Sequence, residues 1–214
     1  MRAEPLSSPA DRRRLKVRGL ILSAAERVFA NEGASGLSIR RLAQKIDYSP
    51  AAIYKYFKSK DELVEELKEA FFAKILTSVN DMADTGQPFT QRARDCFATY
   101  IRIAIEKPHH YAAAFAGRDS EPVCEVDTIE LSETKKGQAF AVLEGLVQEG
   151  VDAGHFRADL DATLAAKSIW VSMHGLAMMM IHMPGFPAFG DEEDTLSPNR
   201  FIDFHADLVV RGLE

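Results

Sequence analysis

Residues 38–63 read SIRRLAQKIDYSPAAIYKYFKSKDEL, and this stretch decides the fold. Ser38 is placed to N-cap a short helix, Ile39 to Ile46, with Leu42 facing inward. Asp47-Tyr48 makes a tight turn. Ser49-Pro50 then opens a second short helix: serine caps it, and proline takes the first helical position, where its missing N–H costs nothing. Ser59, with Glu62 three residues on, is a capping box for a longer helix running to about Met82. Two short helices joined by a tight turn and braced by a longer helix in front are the ingredients of a helix-turn-helix. Such a unit works by standing its second helix in a DNA major groove about 12 Å wide. In that helix Ile53 and Phe57 are four apart and pack inward, so Ala51, Ala52 and Lys55 look outward, the two alanines allowing close approach to base edges. Tyr54 and Tyr56 offer hydroxyls to phosphate, and Lys60 adds a charge at a helix N-terminus that already favours an anion.

On the N-terminal side, helical periodicity begins near Arg12, with Leu15, Leu22, Ala25, Val28 and Phe29 on one broad face. That helix stops at Asn31-Glu32-Gly33, where glycine suits a left-handed cap. Residues 1–11 carry Pro5 and Pro9 with little to bury and read as a flexible arm. Arg12-Arg13-Arg14 fits either a basic arm reaching a minor groove or a solvated tail. On the C-terminal side everything reads as helix too. A loop over 84–88 precedes a helix carrying Ala93, Phe97, Tyr100, Ile101 and Ala104 and ending at Pro108; a short helix over 111–116 follows, then a loop over 117–126. Further helices are predicted from about Asp127 to Ala153, stopping at Gly154, and from Asp159 to Met183. The second of these is apolar nearly all round after Ser168 and so needs cover on two sides. A loop over 184–198 with the acidic tract Asp191–Asp194 leads to a last helix, with Phe201, Ile202, Phe204, Leu208, Val209 and Leu213 on a wide apolar face and Asp203, Asp207 and Arg211 in a polar stripe.

Composition narrows the classes. The 214 residues are 46% hydrophobic and 27% charged, a globular balance that excludes wholesale disorder. Two cysteines, Cys96 and Cys124, give neither a disulfide framework nor a CxxC site. The N-terminus lacks the apolar core of a secretory signal, and the apolar run from Ile169 to Met183 is shorter than the roughly 20 residues of a membrane helix, so a soluble cytoplasmic protein is expected. The net charge of −6 is unevenly spread: residues 1–68 hold 14 Lys and Arg against 9 Asp and Glu (+5), and residues 69–214 hold 12 against 23 (−11). A basic head on an acidic body suits a protein that meets phosphate at one end.

The stretch Ile21 to Leu67 resembles the N-terminal DNA-binding domain of the TetR family of transcriptional regulators. The matching pattern is Ala25, Phe29 and Gly33 at four-residue spacing, then LSIRRLA over 37–43, then Ser49 to Leu63 with its IYKYF and SKDEL runs. The resemblance implies an all-α chain: an N-terminal three-helix DNA-binding domain over 12–68, its helix-turn-helix at about 38–57, and a C-terminal bundle over 69–214 that binds an effector and dimerises. It also implies residue roles. Ser38 and Arg40 match phosphate- or base-contacting positions; Ser49, Pro50, Ala51, Ala52 and Lys55 match the groove-facing recognition helix; Tyr54, Tyr56 and Lys60 match backbone-contacting positions. Two positions depart from the pattern, Asp47 and Ala51, where the family usually has glycine.

Farther along, Pro108-x-x-Tyr111-x-x-x-Phe115 and Trp170-x-x-x-His174-Gly175-Leu176 resemble a C-terminal effector domain found in part of that family. This implies a double-stranded DNA partner with an inverted-repeat operator, a largely apolar small-molecule effector, and a homodimer joined through helices at about 159–183 and 198–213. One short recognition helix reads only a few base pairs, so specificity independently calls for two half-sites. Phe97, Tyr100, Ile101, Phe115, Trp170, Met173, His174 and Met178 are the candidate pocket, though any one of them reads more readily as ordinary core. His109 and His110 are neighbours without spaced Cys or carboxylate partners, so no metal is expected. No GxSxG, P-loop, GxGxxG or HExxH is present, so neither a catalytic residue nor a cofactor is expected. A repressor released by its effector is the leading reading; an activator of the same architecture fits the sequence too, while a helical interaction module or an enzyme fits it less well.

Overall fold

The computed structural model describes residues 8–83, 86–115, 133–183, 185–187 and 197–214, and every regular element among them is a helix. Helix α1 (Pro9–Gly36) begins three residues before the predicted start, because Ser8 and Asp11 form a capping box: the Ser8 hydroxyl accepts from the Asp11 N–H and the Asp11 carboxylate accepts from the Ser8 N–H. Pro9 to Asp11, expected in the flexible arm, are therefore helical. Gly33 interrupts α1 with φ 64° and ψ −165°, a backbone region essentially confined to glycine. Leu15, expected on the buried face, is largely exposed, since the first turns of α1 run beyond the small domain beneath them.

Next come α2 (Ile39–Lys45) and α3 (Pro50–Ile53), then α4 (Lys60–Ala83). Asp47 sits between α2 and α3 with φ 55°, the left-handed geometry the turn requires. Ile21, Ala25, Phe29, Leu42, Ile53, Phe57 and Leu63 close the core of this head. Arg18 reinforces it, its guanidinium lying 4.9 Å from the Phe57 ring centroid while it pairs with Glu66 of α4.

The body is built on α5 (Phe89–Glu106), which packs against α4, α6 (Pro108–Phe115), α8 (Ala162–His182) and α9 (Pro198–Arg211), while α7 (Lys135–Asp152) lies on α4 and α8. Helix α7 starts at a Thr134 cap, whose hydroxyl accepts from the Gly137 N–H, and not at Asp127 as predicted; residues 127–132 lie outside the described set, as do the predicted loop 117–126 and the acidic tract 191–194. Likewise Asp161, not Asp159, caps α8. The long α4 serves both units: Leu63 and Leu67 lie in the head core, Phe71, Phe72 and Ile75 in the body core. Helix α6 is the second joint, tied to α1 by the Lys107–Glu26 ion pair.

Two sequence expectations about the last helices change. Helix α8 is, by length and composition, long and apolar enough to cross a membrane, contrary to the shorter estimate, yet its inner face (Ala166, Ile169, Met173, Leu176, Ala177) is packed into the body core. The wide apolar face of α9 is divided in two. Asp203 and Asp207 turn toward α5, pairing with Arg102 and Arg94, which buries Ile202, Ala206 and Val210 and leaves Phe204 and Leu208 outside.

Candidate nucleic-acid interface and apolar cavity

Helix α3 owes its direction to its start. The Ser49 hydroxyl accepts from the Ala52 N–H at 3.2 Å and Pro50 fixes the first turn, so the chain leaves the Asp47 turn already helical. Ile53 and Phe57 are fully buried and anchor the segment; Pro50, Ala51, Tyr54 and Lys55 lie on its outer side, with Tyr54 53% exposed, and Ala52 is half-buried. Tyr56, read from the sequence as offering its hydroxyl to phosphate, has its ring half-buried against the head core. Lys60 opens α4, half-buried, after a cap in which the Ser59 hydroxyl accepts from the Glu62 N–H; Glu62 in turn accepts from Lys58 rather than from Ser59, a shifted version of the predicted box.

Ser38 occupies the N-cap position of α2 but its hydroxyl makes no cap hydrogen bond, contrary to the expected capping, so it stays exposed and available. Arg40 and Arg41 have separate fates. Arg41 is held by Glu32, whose carboxyl the guanidinium keeps below its ordinary range, whereas exposed Arg40 has no carboxylate partner among the described residues. Ser38, Arg40, Ala51, Tyr54 and Lys55 are thus all solvent-facing polar or small positions of the two short helices.

The body holds an apolar cavity of about 110 Å³ between α4, α5, α7 and α8. Of the eight predicted pocket residues, Tyr100, Trp170 and Met173 line it. Phe97 and Ile101 are fully buried core, and Met178 packs against that core. Phe115 and His174 form a ring cluster beside it, their centroids 4.5 Å apart and Phe115 5.8 Å from Trp170. Sequence reasoning missed the α4 wall (Phe72, Ile75, Leu76, Val79) and, on α7, Phe140 and Lys136. The α4 wall carried a signal in its i, i+3, i+4, i+7 spacing; Lys136 carried none.

A hydrogen-bonded run borders the cavity. Trp170 Nε1 donates to the Tyr100 hydroxyl at 3.1 Å, the Tyr100 and Tyr111 hydroxyls are 3.3 Å apart, and Tyr111 meets His174 Nδ1 at 2.6 Å. The direction that uses every hydroxyl proton has Tyr100 donating to Tyr111 and Tyr111 donating to His174, which makes His174 a neutral imidazole with its proton on Nε2. Burial agrees, raising both tyrosines above their ordinary range and lowering His174, with Lys136 pushing His174 the same way. Cys96, at the cavity wall, is pushed up to about 12 by burial and stays a thiol at neutral pH.

The family model described as bacterial regulatory proteins, tetR family, matches residues 21–67, and a model described as tetracyclin repressor-like, C-terminal domain, matches residues 93–198, the two together spanning well over half of the chain. This chain belongs to the TetR family. Among TetR-family relatives it is similar to the HTH-type transcriptional repressor KstR2 of Mycobacterium tuberculosis, 27% identical over 161 residues that cover 73% of this chain and 79% of that protein. It is also similar to the HTH-type transcriptional repressor NicS of Pseudomonas putida, 25% identical over 209 residues and 92% of each chain. A solved structure of a protein with unknown function from Rhodococcus sp. RHA1 shares the fold, with a TM-score of 0.72 at 21% identity over 92% of this chain and 95% of that one. As a TetR-family member the protein is a DNA-binding transcriptional regulator with an N-terminal helix-turn-helix head and a helical C-terminal body.

Proposed function

We propose that the protein is a cytoplasmic homodimeric repressor that grips an inverted-repeat operator with its two heads and lets go when a small molecule enters the α4–α5–α7–α8 cavity. The observation that carries the DNA half is the split of the segment 49–57: Ile53 and Phe57 fully buried, Ala51, Tyr54 and Lys55 outside. A helix anchored in this way presents a small, close-approaching face flanked by a hydroxyl and an ammonium, the chemistry that base edges and phosphates accept. On this reading Ser38, Arg40, Ser49, Pro50, Ala51, Ala52 and Lys55 meet the groove, and Tyr54, Tyr56 and Lys60 meet the backbone. With its ring half-buried, Tyr56 would serve that role through its hydroxyl. Repression as the sign of regulation rests on the names borne by KstR2 and NicS.

The dimer reading rests on an outer apolar stripe. Leu164, Val171 and Met179 of α8 and Phe204 and Leu208 of α9 are exposed large hydrophobics, Val171 by 66% and Phe204 by 61%. The two helices carrying them are linked by a Ser172–His205 hydrogen bond of 2.8 Å. Two copies joined through this pair would make a four-helix interface that covers the second side of α8. Selection of bound duplexes from a random pool by the purified protein, at about 150 mM salt, tests the reading. Enrichment of an inverted repeat with half-sites about one helical turn apart is expected; enrichment of a single asymmetric site, or of nothing, overturns it.

A further inference from the structure

We propose that the cavity takes an amphipathic monoanion, an apolar body ending in a carboxylate, and that the Lys136 ammonium holds the carboxylate; this rests on reading the cavity as the effector site. Apart from Lys136, the walls are almost wholly apolar, from Phe72, Ile75 and Val79 on one side to Phe140, Trp170 and Met173 on the other. Lys136 is half-buried there, its Nζ 4.9 Å from the Phe115 ring centroid and 6.0 Å from that of Trp170. Five other basic residues of the body hold carboxylates (Lys74 with Glu106, Arg92 with Glu149, Arg94 with Asp207, Arg102 with Asp203 and Lys107 with Glu26), and the neighbouring Lys135 bonds Gln138. Lys136 has no carboxylate among the described residues.

The charge that acts most on Lys136 is another cation, Lys68, which already has Glu65 at 2.8 Å. Burial and Lys68 both work against the charged form of Lys136, holding its pKa below the ordinary lysine value. Two ring faces offset only part of that cost, since a cation–π contact contributes about 0.5–2 kcal/mol. A carboxylate beside Nζ relieves both effects at once, whereas a neutral ligand relieves neither and a cationic one adds repulsion. One cation without a carboxylate among the described residues matches one negative charge. Size sets the body: an engineered apolar cavity of about 150 Å³ holds benzene, so a void of about 110 Å³ admits an apolar part of roughly ring size before the ligand must project from the open side.

Trp170 is the only tryptophan of the chain and lines the cavity, so its emission reports occupancy directly. The full-length protein is titrated with octanoate, 4-phenylbutyrate and the two matching amides. The carboxylates should bind roughly ten- to a hundredfold tighter than the amides, the range of a charge-assisted hydrogen bond. Lys136→Met should bring each carboxylate down to the affinity of its amide while leaving the amide unchanged, and Lys136→Arg should keep the preference. Equal binding of acid and amide by the wild type, or a preference that survives in Lys136→Met, overturns the assignment of Lys136 while leaving the cavity as effector site. No response of Trp170 to any of the four probes overturns the assignment and the effector-site reading together.

Discussion

His110 is the buried histidine of the head–body joint, and replacing it with phenylalanine should stabilise the protein. The residue is 2% exposed, neither ring nitrogen has a hydrogen-bond partner among the described residues, and the ring meets Phe29 of α1 edge-on at a centroid distance of 5.0 Å. A neutral imidazole brings one donor and one acceptor, and each left unpaired in an apolar site costs about 1–3 kcal/mol. Phenylalanine removes both while keeping a ring against Phe29; fitting its extra volume costs about 1–3 kcal/mol. Taking the middle of each range, the balance is a gain of about 2 kcal/mol, or roughly 4–8 °C in Tm for a chain of this size. The pH dependence supplies a second, independent reading. Burial, with Lys107 and His109, lowers the pKa of His110, and only Glu26 opposes them. The unfolded chain therefore takes up this proton first, near pH 6.5, so wild-type stability is full above that pH and is lost as the pH falls through it. His110→Phe lacks this titration, while His174 and His205, also lowered, titrate in both proteins and cancel in the difference. Urea unfolding of both proteins at pH 7.5 and 5.5 should show a positive gap that widens in acid. A variant no more stable than wild type, or a gap that stays constant, refutes the reasoning.

Three further outcomes are expected. Tyr54→Ala and Lys60→Ala should weaken operator and random duplex alike, and Lys60→Ala should lower the slope of log affinity against log salt by about one per subunit; a gel-shift series between 50 and 200 mM salt, concentrations over which phosphate contacts dominate, measures both, and a loss confined to the operator would contradict a backbone role. Val171→Arg combined with Phe204→Arg should yield a species near the 23.7 kDa chain mass in sedimentation, because two charges per copy would be buried face to face; persistence at twice that mass rules out the α8–α9 interface. Gly150→Ala should lower stability by about 1–3 kcal/mol, since a Cβ there would lie 2.3 Å from Phe156 and 2.8 Å from Phe89, and a melting curve unchanged from wild type would show that the α7 terminus has slack.

The head was legible because its rules are local. Ser49 with Pro50 fixes a helix start, Asp47 tolerates the left-handed turn, and Ile53 with Phe57 sets the buried side, all between positions 47 and 57. Where the outcome depended on distant chain, the sequence was silent. Leu15 has the right period for burial, but no element among the described residues covers it. Phe204 and Leu208 belong to the same apolar run as Ile202, and only Arg94 and Arg102, some hundred residues earlier, decide which of them turn outward. The pocket suffered most. Phe97 and Ile101 are indistinguishable by spacing from Tyr100, yet a small rotation of α5 seals them in the core while Tyr100 reaches the cavity. Lys136 reads as an ordinary solvated charge until the rings of Phe115 and Trp170 are placed beside it.

The geometry of α4 bears on how a small ligand reaches so far. On the proposed dimer, a rigid α4 turning about the point where it passes between the two cores, Leu67 to Phe71, would carry Lys60 on one arm and the cavity residue Ile75 on the other. At 1.5 Å per residue the arms are roughly 13 and 9 Å, so a displacement of about 1 Å at Ile75 becomes roughly 1.5 Å at Lys60. Across a two-fold axis the heads then move by roughly 3 Å, close to the 3.4 Å step of one base pair along a strand. Helix α6 adds a second route, since Tyr111 and Phe115 face the ring cluster while His110 and Ala113 lie against the head. Driving the spacing from 1:99 to 99:1 takes about 5.5 kcal/mol of preference for the shifted state. A ligand of about ten heavy atoms at roughly 0.3–1.5 kcal/mol each has about 3–15 kcal/mol in all, so it suffices only if much of its binding is realised in the shifted state alone. An effector whose body merely fits the existing void favours the unshifted state and works against the change, so induction requires a ligand larger than the void, one that forces α4 aside to enter.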